Sequence, residues 1–314
     1  MPKPPVAEIL AADWGLSRFR LWALCGGKVI AETQNETGAA KLTKPADYET
    51  ALTKAAAPWL PKAADNAKVL ALICGMAGAR DGWRQTPYRF VPCAPLADDG
   101  LLTQVPMRGG RIRVFLLPGL AQRHPPNVMR GEETQIAGLL AAQPDFDGAV
   151  CLPGSHAKWA RVKGGKVRRF DTMMTGEIYA LLSHHSALRH SVGGGFDKGA
   201  NTKDSFDKTA FAEAADEIMR RPSMLAAKLF SVRAESILRN LPPSRARARL
   251  SGLCIGADIA AASHYCRIGK VAIIGEETIG KLYQTALTLR GIKATITNGK
   301  KAALTGLQTI AIHR

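Results

Sequence analysis

What most limits how this chain can fold is an internal echo. Gly154 and Ser155, followed by Gly164-Gly165-Lys166-Val167, are matched near the start by Leu16 and Ser17, followed by Gly26-Gly27-Lys28-Val29, with Gly15 just before them. A second echo follows in the same order, Ala137-Gly138-Leu139 against Thr305-Gly306-Leu307. Either identity alone is short enough to arise by chance. Two kinds of echo in one order argue for a duplicated supersecondary unit.

The apolar periodicity supports the duplication. It predicts short strands over 8–13, 18–23 and 28–33, a helix over 46–57 ended by Pro58, buried strands over 69–74 and 112–117, and a helix opening at Glu132. From 149 the order begins again, with strands over 149–152, 158–162 and 166–171 and a helix over 176–188. An Ala-rich helical insertion over about 191–250 follows, then a helix over 252–263, a strand over 271–274, a helix over 278–289, a strand over 294–297 and a final helix over 301–312. Domain one then spans 1–142 and domain two 143–314, with the helix over 301–314 crossing back at a hinge. The Gly193-Gly194-Gly195 run reads as surface rather than as a phosphate cradle, because no Lys-Ser or Lys-Thr completes a P-loop.

At 314 residues and 46% hydrophobic, the chain can bury a full core in two domains of about 150 residues each. Its 6 cysteines include no Cys-x-x-Cys pair and sit mostly in apolar runs, which predicts reduced thiols in a cytoplasmic protein and neither a disulfide framework nor a zinc site. No stretch reaches the ~18 apolar residues of a spanning helix, so neither export nor a membrane anchor is expected. The net charge of +17 is spread along the chain, with local clusters only at 161–169 and 245–249. A solvated basic surface, or a field that draws in anionic ligands, accounts for it better than nucleic acid does.

The stretch from Val128 to Trp159 carries the chemistry. Glu132 and Glu133 open an amphipathic helix, and an apolar strand then breaks at Pro153-Gly154-Ser155. Phosphoryl transfer needs such parts: a carboxylate to take a proton, and close backbone N–H groups to hold phosphate. Each half also has a plainer reading, as acids suiting a helix dipole and as a hairpin turn.

Two βββαβαβα units, each with a Gly and hydroxyl turn between its first two strands, resemble the actin, sugar kinase and heat-shock ATPase superfamily. The resemblance implies an α/β fold of two ribonuclease-H-like domains with nucleotide in a cleft between them, and small residues, here Gly138 and Gly306, where two helices cross. More narrowly, Met129-Arg-Gly-Glu-Glu-Thr-Gln135, Leu152-Pro-Gly-Ser-His-Ala-Lys-Trp159, Met174-Thr-Gly-Glu177, Gly75-Met-Ala-Gly-Ala-Arg-Asp-Gly-Trp83 and Leu229-Phe-Ser-Val-Arg-Ala234 resemble the 2-dehydro-3-deoxygalactonokinase family over nearly the whole chain. One departure is Ala79, where the family pattern leads one to expect Ser.

The resemblance implies transfer from ATP, with Mg²⁺, to the 6-hydroxyl of 2-dehydro-3-deoxy-D-galactonate, a step of galactonate breakdown. A kinase for another 2-keto-3-deoxy sugar acid, a non-kinase ATPase of the same fold and a basic nucleic-acid binder are the competing readings. Glu133 is the implied catalytic base, and an alignment error of one position would exchange it with Glu132. Asp13 would hold Mg²⁺ through water, or simply cap its turn. Gly15, Ser17, Gly154, Ser155 and His156 would face the phosphates, and Gly275 and Glu276 the adenosine, although Glu276 equally suits a helix cap. Arg80 would clamp the substrate carboxylate, with Trp83, Thr175 and Glu177 as neighbours; Trp83 is also a natural packing residue. The expected partners are ATP and a small sugar acid, with no nucleic acid and no membrane, and a homodimer is among the assemblies open to it.

Overall fold

A computed structural model of the chain describes residues 6–62, 67–193, 206–267 and 269–311. Gly194 and Gly195, and with them most of the glycine run, lie outside these residues. The strands are β1 (Ile9–Trp14), β2 (Phe19–Cys25), β3 (Lys28–Asn35), β4 (Val69–Gly75), β5 (Tyr88–Phe90), β6 (Thr103–Val105), β7 (Ile112–Leu116), β8 (Gly119–Gln122), β9 (Asn127–Met129), β10 (Gly148–Leu152), β11 (Ala157–Lys163), β12 (Lys166–Met173), β13 (Val271–Gly275) and β14 (Ala294–Asn298). The α-helices are α1 (Pro45–Ala56), α2 (Glu132–Ala142), α3 (Thr175–His185), α4 (Arg189–Val192), α5 (Lys208–Arg220), α6 (Leu225–Arg239), α7 (Pro243–Ala261), α8 (Ser263–Cys266), α9 (Glu277–Thr288) and α10 (Gly299–Ala311).

The chain divides into two compact units: Met1–Phe146 with Val162–Arg169 and Gly299–Arg314, and Asp147–Arg161 with Phe170–Asn298. The large sheet of the first unit runs β3-β2-β1-β4-β7-β6. β1 pairs antiparallel with β2 and parallel with β4, and β4 pairs parallel with β7. β4 is buried at every position, as a central strand covered on both faces must be. On one face Tyr48, Leu52 and Ala56 of α1 pack with Leu10, Trp14 and Phe19; on the other Ala303, Leu307 and Ile310 of α10 pack with Ala11, Trp22 and Leu72.

The other large sheet runs β12-β11-β10-β13-β14, the same plan of three strands in sequence followed by parallel neighbours. Both β2–β3 and β11–β12 turn on a Gly-Gly pair with positive φ, Gly26 at 55° and Gly27 at 73°, Gly164 at 58° and Gly165 at 66°. Two consecutive left-handed residues are what the tightest hairpin turn requires. The fold is therefore a duplicated ribonuclease-H-like α/β unit, that of actin-like ATPases and sugar kinases.

Three elements depart from the sequence reading. Between β4 and α2 only the strand over 112–117 was expected, and it is present as β7; the rest of that stretch holds a small mixed sheet, β5-β8-β9, and the edge strand β6. Helix α7 begins at Pro243, well before position 252, because Pro at its start and a run of Arg, Ala and Leu favour helix without a simple apolar stripe. Helix α5, expected as part of an excursion, places Ala210, Phe211 and Ala215 in the core beneath β10 and β13. Gly252 and Gly256 of α7 let it approach: a Cβ there would stand 2.3 Å from the Phe211 carbonyl oxygen and 2.7 Å from that of Ala215. No described helix is long and apolar enough to cross a membrane.

Candidate active site

In the first unit the candidate residues gather where β1 and β4 end. Gly75, at φ 88°, lies so close to β1 that a Cβ would stand 2.5 Å from the Trp14 carbonyl oxygen, and Gly131, at φ 105°, would place a Cβ 3.2 Å from Gly75 Cα. Three backbones thus stack without side chains between them, which brings the start of α2 against the end of β1. Asp13 and the two glutamates of α2 are neighbours for that reason.

Glu133 is 1% exposed. Its carboxylate accepts the Gly131 N–H at 2.7 Å and the Thr134 hydroxyl at 3.0 Å. Burial, and then the Glu132 carboxylate beside it, push its pKa up to about 7. Glu132 is only half-buried and accepts the Arg130 N–H at 2.9 Å. Asp13 is buried, takes the Arg20 guanidinium on one oxygen at 2.9 Å and faces the Cys74 thiol on the other at 3.9 Å. Burial raises its pKa, Arg20 opposes the shift and Glu132 adds to it.

The turn after β1 is braced from below. Gly15 N–H donates to the Arg18 carbonyl at 2.9 Å, and the N–H groups of Ala39 and Ala40 donate to the carbonyls of Gly15 and Leu16, each at 2.9 Å. Ser17 is left exposed at its tip. Beyond β4, Arg80 is exposed and has no acidic partner among the described residues. Trp83 is 5% exposed and stacks on Tyr48 at 5.9 Å, so it builds the core beneath this loop.

In the second unit the turn after β10 meets the start of α3. Glu177 N–H donates to the Ser155 carbonyl at 3.1 Å, and the Glu177 carboxylate pairs with His156. Gly176 is needed here: a Cβ would lie 2.6 Å from the Gly154 carbonyl oxygen. Gly154 itself has open space around its Cα, and Ser155 is exposed. Lys158 is buried and donates to the His156 carbonyl at 3.0 Å. Gly275, at the end of the adjacent β13, would hold a Cβ 3.6 Å from the Pro153 ring, and Glu276 stands exposed just before α9 without capping it through its side chain. Thr175 and Glu177, expected on the substrate side, are thus grouped with Gly154, Ser155 and His156.

Beside this turn lies a cavity of about 190 Å³, lined by Gly154, Thr175, Gly176, Ile255, Ile279 and Tyr283 among others. Its wall is ordered by Asp258, which the sequence reading missed. This carboxylate is 4% exposed and accepts hydrogen bonds from Trp159 Nε1 at 2.6 Å, the Tyr283 hydroxyl at 2.6 Å and the Thr175 hydroxyl. Burial raises its pKa and the three donors oppose the rise. A lone acid in the apolar run Ser251 to Ala261 was the available signal, since a buried carboxylate must find donors.

No group of three or more His, Cys, Asp or Glu among the described residues forms a metal cage. Magnesium keeps several waters and takes one or two carboxylates plus phosphates, and Asp13 with Glu132 is that number. The donor set fits such an ion.

The 2-keto-3-deoxy-galactonokinase family profile matches residues 13–310. The 2-dehydro-3-deoxygalactonokinase of Escherichia coli strain K12 is 31% identical over 308 residues, 97% of this chain and 98% of that one. DgoK1 of Rhizobium meliloti strain 1021, named as a probable 2-dehydro-3-deoxygalactonokinase, is 36% identical over 307 residues, 96% of this chain and 95% of that one. A crystal structure of a Sinorhizobium meliloti protein named for the same kinase superposes with a TM-score of 0.85 at 35% identity, covering 97% of this chain and 96% of that one. The chain belongs to the 2-keto-3-deoxy-galactonokinase family.

Proposed function

We propose that the protein transfers the γ-phosphoryl group of ATP to the 6-hydroxyl of 2-dehydro-3-deoxy-D-galactonate in galactonate breakdown. The observation that carries the reading is Glu133, a buried carboxyl whose pKa of about 7 suits a base working near neutrality, and which, like Asp13, acts on the buried Cys74 thiol of β4. Glu133 takes the proton of the attacking hydroxyl, while Gly131 N–H and the Thr134 hydroxyl fix the direction of its carboxylate. The half-burial of Glu132 favours a second assignment, in which Glu132 takes the proton.

Ser17 on one turn, and Gly154, Ser155 and His156 on the other, offer donors to the phosphates, with Glu177 orienting the His156 ring; Gly15, expected to face the phosphates, has its N–H taken by the Arg18 carbonyl and shapes its turn instead. Asp13, with Glu132, would hold Mg²⁺. When bound, the ion neutralises charge on the phosphate oxygens. The cavity beside Gly154 takes the nucleoside, with Gly275 and Glu276 at its edge and Thr175 in its wall. Arg80, exposed and without an acidic partner among the described residues, binds the substrate carboxylate as a planar fork, and Trp83 supports its loop from beneath. The 6 cysteines are free thiols, in keeping with a cytoplasmic enzyme supplied with ATP.

Steady-state kinetics of Glu133→Gln and Glu132→Gln test the assignment. Glu133→Gln keeps shape and hydrogen bonding but loses the base, so kcat is expected to fall roughly 10²- to 10⁴-fold with both KM values nearly unchanged. A Glu133→Gln enzyme within threefold of wild type, alongside a dead Glu132→Gln, transfers the role to Glu132.

A further inference from the structure

The second unit holds another cavity, larger than the one beside Gly154 and at the other end of its parallel strands. It measures about 700 Å³ and is lined by Arg220, Arg267 and Arg290, with Ser263, against apolar walls that include Ile259 and Ile292. Its residues precede β13 and β14, which run parallel to β10, whereas the Pro153-Gly154-Ser155 turn follows β10. The three arginines come from three places, the end of α5, the residue after α8 and the loop after α9. Arg220 shares Asp216 at 2.8 Å. Neither Arg267 nor Arg290 has a carboxylate partner among the described residues.

Three arginines from three separate elements border one cavity, and their combined positive charge favours an anion there. A guanidinium is a planar fork matched to carboxylate and phosphate oxygens. The volume is that of a metabolite site, and the apolar wall accepts a short carbon skeleton. We propose that this cavity is a second, regulatory site for a small organic anion carrying both a phosphate and a carboxylate.

The geometry also supplies a route to the turnover site. Asp258, which orders Trp159, Thr175 and Tyr283 beside Gly154, is followed directly in α7 by Ile259 and Ala260, which line the arginine cavity. Helix α9 carries Tyr283 and is followed by Arg290. An anion that draws Arg267 and Arg290 together acts on the ends of α7 and α9, and therefore on the hub that holds the nucleotide cavity. The regulatory half of the inference rests on the kinase reading; the binding half does not.

The probe is 3-phosphoglycerate, titrated calorimetrically into the full chain with and without saturating sugar acid and a non-hydrolysable ATP analogue. Saturable binding that persists with the transfer site filled is expected, and the Arg267→Ala, Arg290→Ala double variant weakens it at least tenfold while kcat and both KM values measured without probe stay as in wild type. The paired Lys variant should retain part of the affinity, because charge remains and the fork does not. Saturating probe is expected to change wild-type kcat/KM for ATP at least twofold and leave the double variant unaffected. Absent saturable binding, binding unchanged in the double variant, inorganic phosphate binding as tightly as the probe, or binding with no kinetic effect overturns the proposal. Failure of the ATP analogue to bind counts against the kinase reading instead.

Discussion

Glu133 binds its proton more tightly in the fold than it would in an open chain, and this costs stability. A carboxyl raised from the usual range to about 7 gives a contribution that is fully present below its unfolded value and is lost as pH rises through the folded one. Glu133→Gln removes the charge and with it the loss, on the order of 3 kcal/mol at most. Thermal melts should therefore show the Gln variant gaining on wild type at pH 8 and not at pH 4; equal gain at both values would contradict the burial argument. In wild-type kinetics the same proton should appear as a loss of kcat/KM below about pH 7. At Arg80 the expected outcome is different in kind. Arg80→Lys keeps the charge but loses the fork, so initial-rate kinetics should show a raised KM for the sugar acid; an unchanged value with weaker ATP binding moves Arg80 to the nucleotide side. Acids and glycines at turns were legible in the sequence because their chemistry is local. Asp258 was not placed, because its three donors come from β11, α3 and α9, and only the fold brings them together.

At the scale of elements, the joint between α2 and α10 rests on two glycines. A Cβ at Gly138 would stand 1.9 Å from the Ala302 carbonyl oxygen, and one at Gly306 2.0 Å from that of Thr134. The helices touch backbone to backbone, and α2 carries Glu132 and Glu133 in its first turn. Gly138→Val must spread them, at a cost of about 3 kcal/mol or more, and should lower both melting temperature and turnover without removing any group proposed to touch ATP. A variant with wild-type melting and rate would contradict this packing. The echo of Gly138 in Gly306 was readable from sequence, as were the long strands and their Gly-Gly turns, because strong periodicity and positive φ leave marks in few residues. The β5-β8-β9 sheet was not, since three- and four-residue strands carry no measurable period. That helix α5 packs into the core was not legible, because alanine is equally at home on a surface and in a tight helix contact; Gly252 and Gly256 of α7 decide between them.

Over the whole molecule, duplication gives each unit one strand-end turn, and divergence gives the two turns different surroundings. The first turn sits beside carboxylates, Asp13 and the glutamates of α2. The second sits beside a His–Glu pair, a buried lysine and a small cavity. An acid-bearing turn and a donor-bearing turn are complementary needs of phosphoryl transfer. Part of the net charge of +17 lies around the arginine cavity of the second unit. The central claim is that ATP is spent on a sugar acid. Coupled measurement of ADP release across a panel of 2-keto-3-deoxy acids, with mass and ³¹P spectra of the product, tests it most directly. The account expects ADP release to require 2-dehydro-3-deoxygalactonate, in one-to-one yield with its 6-phosphate; ADP formed at the same rate without any sugar acid would contradict it.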